Sequence, residues 1–349
     1  MPPPEIQHCV IVFALGGTIA MSSTATGGVA PTLTADRILA TIPELADSDI
    51  NVKFVDFRKM PGAALKISDI TELAHAIDTR LAGADGAVVT QGTDTIEETS
   101  YLLDLLHTAP QPVIVTGAMR NPTMAGADGP ANLLAAIHTA AHYPARDQGC
   151  LIVFNDEIHA ARRVRKTHTT STATFVSPNG GPLGYIVEGQ ARLLNRIHNR
   201  TTIPLKSCTS TRVAILTAAL GDDTTMLRAA ADHVDGVVLA GFGAGHVPAD
   251  FVPELEALAA WVPVVLASRT GAGSVLQSTY GFGGSERDLL ARGLISAGYL
   301  DSLKARILLH ALLDRSCDRS TITAAFGAAG GYRNPETWPW PAENTEGER

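Results

Sequence analysis

Short, almost wholly apolar runs that end in glycine recur along the first part of this chain, and they leave few folds open. Cys9-Val10-Ile11-Val12-Phe13-Ala14-Leu15 runs into Gly16-Gly17, and Gly86-Ala87-Val88-Val89 leads into Gln91-Gly92. Strands this uniformly apolar suit a parallel sheet covered on both faces. The pattern predicts strands at about 8–15, 51–57, 85–90, 112–117 and 149–155. Amphipathic stretches between them predict helices at about 34–42, 68–82, 95–107 and 129–142. Thr34 or Asp36, Ser68 and Asp128 stand where helix caps are expected. Right-handed βαβ crossovers follow.

The rhythm breaks at 156–211, a stretch rich in Thr, Ser, Asn, Gly and Arg, which reads as short antiparallel strands and then a connection. The βα alternation restarts at Val213–Ala218 and continues through Gly236–Ala240 and Val262–Ala267, with helices near 224–232, 250–260, 301–314 and 319–326. The expected fold is therefore α/β in two domains. A larger N-terminal domain at 1–190 has a mostly parallel sheet with flanking helices. A linker at 191–211 leads to a smaller C-terminal α/β domain at 212–330, and a loosely ordered tail occupies 331–349.

Composition limits the partners. Of 349 residues, 45% are hydrophobic and 18% charged, which suits a buried core rather than global disorder. The net charge of -8 argues against a nucleic-acid polyanion and gives no sign of an anionic membrane surface. The first residues lack a secretory pattern, and no apolar run approaches the ~18 residues of a membrane span. Cys9, Cys150, Cys208 and Cys317 are widely spaced without a CxxC pair, and Cys9 and Cys150 read as buried apolar thiols. The expectation is a cytoplasmic protein without structural disulfides.

The chemistry concentrates where two strands end. Gly16-Gly17-Thr18 and Gln91-Gly92-Thr93-Asp94-Thr95 each place a hydroxyl in a glycine-flanked turn. In an open parallel sheet such turns lie at the carboxyl edge, where ligands bind. Gly-Gly-Thr by itself also reads as an ordinary strand-to-loop turn, and Thr93–Glu98 as a helix start with acids favoured by the helix dipole. A threonine hydroxyl needs a base to become a nucleophile. Lys166, in Arg162-Arg163-Val164-Arg165-Lys166-Thr167, is the candidate. Such a charge run usually forms a solvated face, but a lysine among arginines and withdrawn from water can serve as a base near neutral pH. Gly117-Ala118-Met119-Arg120 follows another apolar strand and can line the same edge. GxGxxG, a G-x-S-x-G elbow and a Walker loop do not occur at these turns, and His138 and His142 lack the HExxH context of a zinc site.

These segments together resemble the bacterial L-asparaginase family. The resemblance runs through Gly16–Ala20, Gln91–Thr99, Gly117–Arg120, Ala127–Pro130, Lys166–Phe175, Gly181–Tyr185 and Lys304–Arg306, and covers roughly residues 8–326. It implies an amidohydrolase that attacks the side-chain amide of L-asparagine, or of a related asparagine-like amide, with a threonine nucleophile. Thr18 matches the nucleophile. Thr93, Asp94 and Lys166 match a second triad, in which Lys166 and Asp94 polarise the Thr93 hydroxyl and Asp94 meets the substrate's α-amino group. The Thr93 backbone N–H would stabilise the oxyanion. The resemblance also implies no metal, no cofactor, and a homo-oligomer (dimer or tetramer) whose sites lie at subunit interfaces.

Three departures bear on specificity. The segment Met21–Thr34 lacks the tyrosine that the family places beside the nucleophile, and Tyr280 is the candidate substitute, with a packed tyrosine as the alternative. Pro61-Gly62-Ala63-Ala64 stands where the family has polar side chains for the substrate's carboxylate and ammonium, so Gly62 and Ala63 would offer backbone only. A partner-chain asparagine is replaced around Ala244-Gly245-His246, where His246 can make a polar contact. Small apolar walls discriminate less than a hydrogen-bonding site. Ala118, Thr93 and Asp94 complete the expected substrate-binding set. Two other readings keep the same residues: the amidase subunit of a transamidation complex, and a non-catalytic amino-acid-binding module.

Overall fold

The computed structural model describes residues 7–17, 21–23, 29–31, 41–204 and 210–340. The chain divides into two compact units, Met1–Arg200 and Thr201–Arg349.

The first unit is built on an eight-stranded sheet. Its strands in chain order begin with β1 (His8–Ala14), a small hairpin of β2 (Met21–Ser23) and β3 (Val29–Pro31), then β4 (Ile50–Asp56), β5 (Gly86–Thr90), β6 (Val113–Thr116) and β7 (Cys150–Phe154). There follow β8 (Glu157–Ala160), the short pair β9 (Arg165–Lys166) and β10 (Phe175–Val176), and β11 (Gly184–Val187) with β12 (Gln190–Leu193). The sheet order is β12-β11-β8-β7-β6-β5-β1-β4. From β4 to β7 every pairing is parallel, and β8, β11 and β12 add on antiparallel. β5, β6 and β7 are buried at every residue, whereas the edge strand β4 has no fully buried residue. The expected linker thus starts inside the sheet, because β12 pairs with β11 through Leu193.

Helices cover both faces. α1 (Ile67–Arg80) buries Ile70, Leu73, Ala74 and Ile77, one stripe at helical spacing. α2 (Ile96–Leu106) is buried along almost its whole length, and α3 (Gly129–Ala141) buries Leu133, Ala136, Ile137 and Ala140. Two cap expectations change. Ser68 lies inside α1, and the first turn is closed by Asp69, whose carboxylate accepts the Lys66 backbone N–H at 2.9 Å. Asp128 precedes α3 but does not cap its backbone: its carboxylate accepts the N–H groups of Met119 and Arg120 at 3.0 and 2.8 Å and the Asn132 side-chain amide at 3.2 Å. The helix expected at 34–42 and Cys208 lie outside the described residues, apart from 41–42 of the former. Cys150 is buried, as read, while Cys9 is only half-buried.

The second unit holds a parallel sheet in the order β13 (Val213–Thr217), β14 (Gly236–Gly241), β15 (Val264–Ser268), β16 (Ile295–Ser296). Its helices are α4 (Thr225–Ala231), α5 (Val252–Trp261), α6 (Glu286–Ala291), α7 (Ser302–Leu313) and α8 (Arg319–Ala329). Asp301 caps α7 by accepting from Leu303 and Lys304, and the wholly buried Lys304 ammonium pairs with the same carboxylate at 2.8 Å. The segment Lys304–Arg306 is therefore structural: Arg306 donates to the Val213 carbonyl. The described part of the tail, 331–340, departs from the loose order expected of it, and 341–349 lie outside the described residues. Pro335–Thr337 forms a 3-10 turn, and the buried Trp338 donates its indole N–H to the Thr202 carbonyl at 2.7 Å. An indole of that size holds the segment down through residue 340.

No described helix is long and apolar enough to cross a membrane.

Candidate active site

Four loops meet at the carboxyl edge of the large sheet, and glycine lets them meet. Gly16 and Gly17, just past β1, have φ of 99° and 84°, a region where a side chain is strained. A β-carbon built on Gly17 would lie 2.1 Å from the Gly92 nitrogen, past the end of β5. One built on Gly62, in the loop after β4, would lie 2.9 Å from the Gly92 carbonyl oxygen. Gly117, after β6, is equally closed: its β-carbon would sit 2.5 Å from the Gln91 carbonyl oxygen. Backbone therefore packs directly on backbone at four loops. Side-chain bonds fasten the arrangement: the buried Gln91 amide donates to Thr95 Oγ1, and that hydroxyl donates to the Gly62 carbonyl at 3.2 Å.

Thr93 and Asp94 follow in a 3-10 turn that leads into α2. The Thr93 side chain is buried, and its hydroxyl accepts from Lys166 Nζ at 2.9 Å. The same ammonium reaches Asp94 Oδ1 at 3.1 Å. Lys166 is largely withdrawn from solvent at 17% side-chain exposure, whereas Asp94 is 62% exposed. Lys166 arrives from the far side of the sequence on β9, which pairs with β10 through Lys166 opposite Phe175. Phe175 anchors that hairpin against Phe154 of β7, with ring centroids 4.8 Å apart. Beyond it the turn closes on itself: Thr167 N–H donates to the Thr174 carbonyl, and His168 N–H to the Thr174 hydroxyl. An open cleft of about 440 Å³ lies here, lined by Asp94, Lys166, Thr167, His168 and Thr169. That volume falls in the range of small-molecule sites, about 300–1,000 Å³.

The arginines before Lys166 do not form the solvated face that such a run usually makes. Arg162 and Arg165 reach toward buried acids of α2, Asp104 at 3.5 Å and Glu97 at 4.0 Å. Sequence reading missed these partners, although two acids seven residues apart on one helix opposite two arginines three apart were a usable signal.

Of the expected substrate-binding positions, Ala118 is buried beside the Gly117 turn, Gly62 is buried and Ala63 is exposed on a 3-10 turn. Thr18 lies outside the described residues, one position beyond the Gly17–Gly92 contact.

His246 and Tyr280 are together in the second unit. Their rings meet edge to face with centroids 4.8 Å apart, and Phe282 joins them at 5.1 Å from His246. Tyr280 is 43% exposed. Beneath them the wholly buried Glu286 carboxylate accepts the N–H groups of Thr279 and Tyr280 and faces His246 Nε2 at 3.1 Å. Desolvation pushes that carboxyl upward, but the backbone N–H groups of Tyr280, Glu286 and Thr279 and the His246 imidazole together hold it below the usual glutamate value. His138, read as an unlikely zinc ligand, bonds through Nδ1 to the Gly189 carbonyl.

Known proteins match this chain along most of its length. The family model described as Asparaginase, N-terminal matches residues 9–199, and that described as Glutaminase/Asparaginase C-terminal domain matches residues 212–326. An L-asparaginase of Bacillus licheniformis is 34% identical over 87% of this chain and 95% of its own. A probable periplasmic L-asparaginase of Haemophilus influenzae is 34% identical over 91% of this chain and 92% of its own. The crystal structure of a probable cytoplasmic L-asparaginase from Campylobacter jejuni superposes with a TM-score of 0.82 at 31% identity, covering 92% of this chain and 99% of that one.

Proposed function

The chain belongs to the asparaginase family, and from that premise we propose that it hydrolyses the side-chain amide of L-asparagine, or of a related asparagine-like amide, to the acid and ammonia. The observation that carries the reading is the single ammonium shared by Thr93 Oγ1 at 2.9 Å and Asp94 Oδ1 at 3.1 Å. A hydroxyl, a carboxylate and an amine at those distances form a proton relay.

In this reading Thr18 Oγ attacks the amide carbon, the carbonyl π electrons move to its oxygen, and the Thr18 proton passes to the amide nitrogen. The tetrahedral oxyanion is held by the Thr93 backbone N–H. The amide nitrogen, so protonated, leaves as ammonia. Water then attacks the threonyl ester, restoring the Thr18 hydroxyl and releasing the acid. Lys166 and Asp94 polarise the Thr93 hydroxyl, and the exposed Asp94 carboxylate also receives the substrate's α-ammonium. In the same reading Ala118, Gly62 and Ala63 offer the substrate only backbone and methyl groups. A wall without side-chain hydrogen bonds at Ala63 and Ala64 favours a broader range of amides than a fully polar grip.

The working form is a cytoplasmic homo-oligomer, dimer or tetramer, with sites completed at subunit interfaces. Tyr280 and His246 are the residues a neighbouring chain supplies. Thr18→Ala should abolish ammonia release from L-asparagine, D-asparagine, glutamine and N-substituted amides while leaving the circular dichroism spectrum unchanged. Full turnover by that variant would remove Thr18 from the chemistry.

A further inference from the structure

Two buried acids on α2 face the two arginines that lead up to Lys166. Glu97 and Asp104 are seven residues apart, two turns along one helix face. Glu97 Oε2 lies 4.0 Å from Arg165 Nε, and Asp104 Oδ2 lies 3.5 Å from Arg162 Nη2. Both carboxylates are buried, and a buried charge whose partner is removed is strongly disfavoured. The segment carrying Lys166 is thus paired by charge at two points to the helix that follows Thr93 and Asp94.

The two pairs stand at different distances from the site. Arg165 immediately precedes Lys166, and Glu97 lies one helical turn past Thr93. Arg162 and Asp104 are farther along both segments. The site needs such a fastening because β9 and β10 are only two residues long each. So short a ladder holds its register weakly, and a lysine side chain has a long flexible stem. A displacement of about 1 Å at a reacting group can cost about a hundredfold in rate.

We propose that Glu97 and Arg165 form a positioning pair for the reaction. The pair fixes β9 against α2 and so holds Lys166 Nζ between Thr93 Oγ1 and Asp94 Oδ1. The Asp104–Arg162 pair, by contrast, contributes stability alone. The inference rests on the amidohydrolase reading above for its rate readout.

The test compares Glu97→Gln, Arg165→Ala, Arg165→Lys and Asp104→Asn with the parent chain in ammonia release from the best amide of the screen. Glu97→Gln and Arg165→Ala should each lower kcat by about ten- to a hundredfold, with KM kept within about twofold. Arg165→Lys, which keeps the charge, should recover most of the loss. Asp104→Asn should lower the melting temperature and leave kcat within about twofold. Unchanged kcat in both Glu97→Gln and Arg165→Ala overturns the proposal. So does an equal loss of kcat in Asp104→Asn, which would make both pairs merely structural. Absence of ammonia release by the parent chain would break the function reading instead. Positioning is then read without turnover, from the carbon-13 signal of Lys166 after reductive methylation, assigned with Lys166→Arg. That signal should shift in Arg165→Ala and stay in place in Asp104→Asn, and an unmoved signal in Arg165→Ala overturns the positioning role.

Discussion

The two units close their parallel strands with glycine in similar ways, yet they furnish the resulting edges differently. In the first, Gly17, Gly62 and Gly92 bring separate loops together, and the charged groups that follow face an open cleft. In the second, Gly241 at the end of β14 lets the turn fold back on its own strand, so that Phe242 bridges to His246. The charge there turns inward. Glu286 accepts from two backbone N–H groups and the His246 ring, and Arg269 donates to the Ala218 carbonyl while lying over Phe242. Strand and glycine grammar therefore makes an edge, and the direction in which the charges point decides whether chemistry is available there.

The sharpest way to break that contrast is to remove the outward charge. Lys166→Met should lower the rate of ammonia release by about 10²–10⁴-fold, with the melting temperature little changed. Turnover near the parent's would mean that the ammonium between Thr93 and Asp94 is structural, like the pairs in the second unit.

A second contrast is in acid sensitivity. Burial lowers His107 and His159 of the first unit to about 4 each. The second unit has one such imidazole, His310, also lowered by burial. These rings gain protons more readily when unfolded, so their contribution is present above about 6.5 and is lost as pH falls below it, toward about 4 for His107 and His159. For His107 and His159 this is worth up to about 3 kcal/mol each. All three tryptophans, Trp261, Trp338 and Trp340, lie in the second unit. Urea unfolding at pH 5 should therefore show circular dichroism moving before tryptophan fluorescence. Coincident midpoints that fall equally between pH 7 and pH 5 would erase the contrast.

The smallest effect sharpens rather than breaks it. Tyr280→Phe should lower kcat by about tenfold, close to 1.4 kcal/mol. Unchanged turnover would confine the His246–Tyr280–Phe282 cluster to packing.

Much of this was legible in the chain because it is local. Apolar runs mark β1, β5, β6 and β7, and the same alternation marks the second sheet. Residue type already offered Lys166 as the base for the threonine turns, and the family resemblance joined it to Thr93 and Asp94 across the 72 or 73 residues that separate them. What stayed hidden was pairing at long sequence distance. Asp128 looked like the cap of its own helix, yet its carboxylate ties the turn at Met119 and Arg120 to the Asn132 side chain of that helix. The arginine run looked solvated because its acids are on α2, more than fifty residues away. Trp338 sits among the prolines and acids of a polar tail, and only its bond to Thr202, 136 residues back, makes it part of the fold.

The packed glycines also set where this enzyme can change. Positions 17, 62, 92 and 117 have no volume to give, since a single methyl at each would collide with another loop's backbone. A library aimed at new amides gains nothing by sampling them. Variation is cheap at Ala63 and Ala64, which face solvent around the same centre. The reaction's frame is inherited whole, and the substrate range is open to selection at its rim.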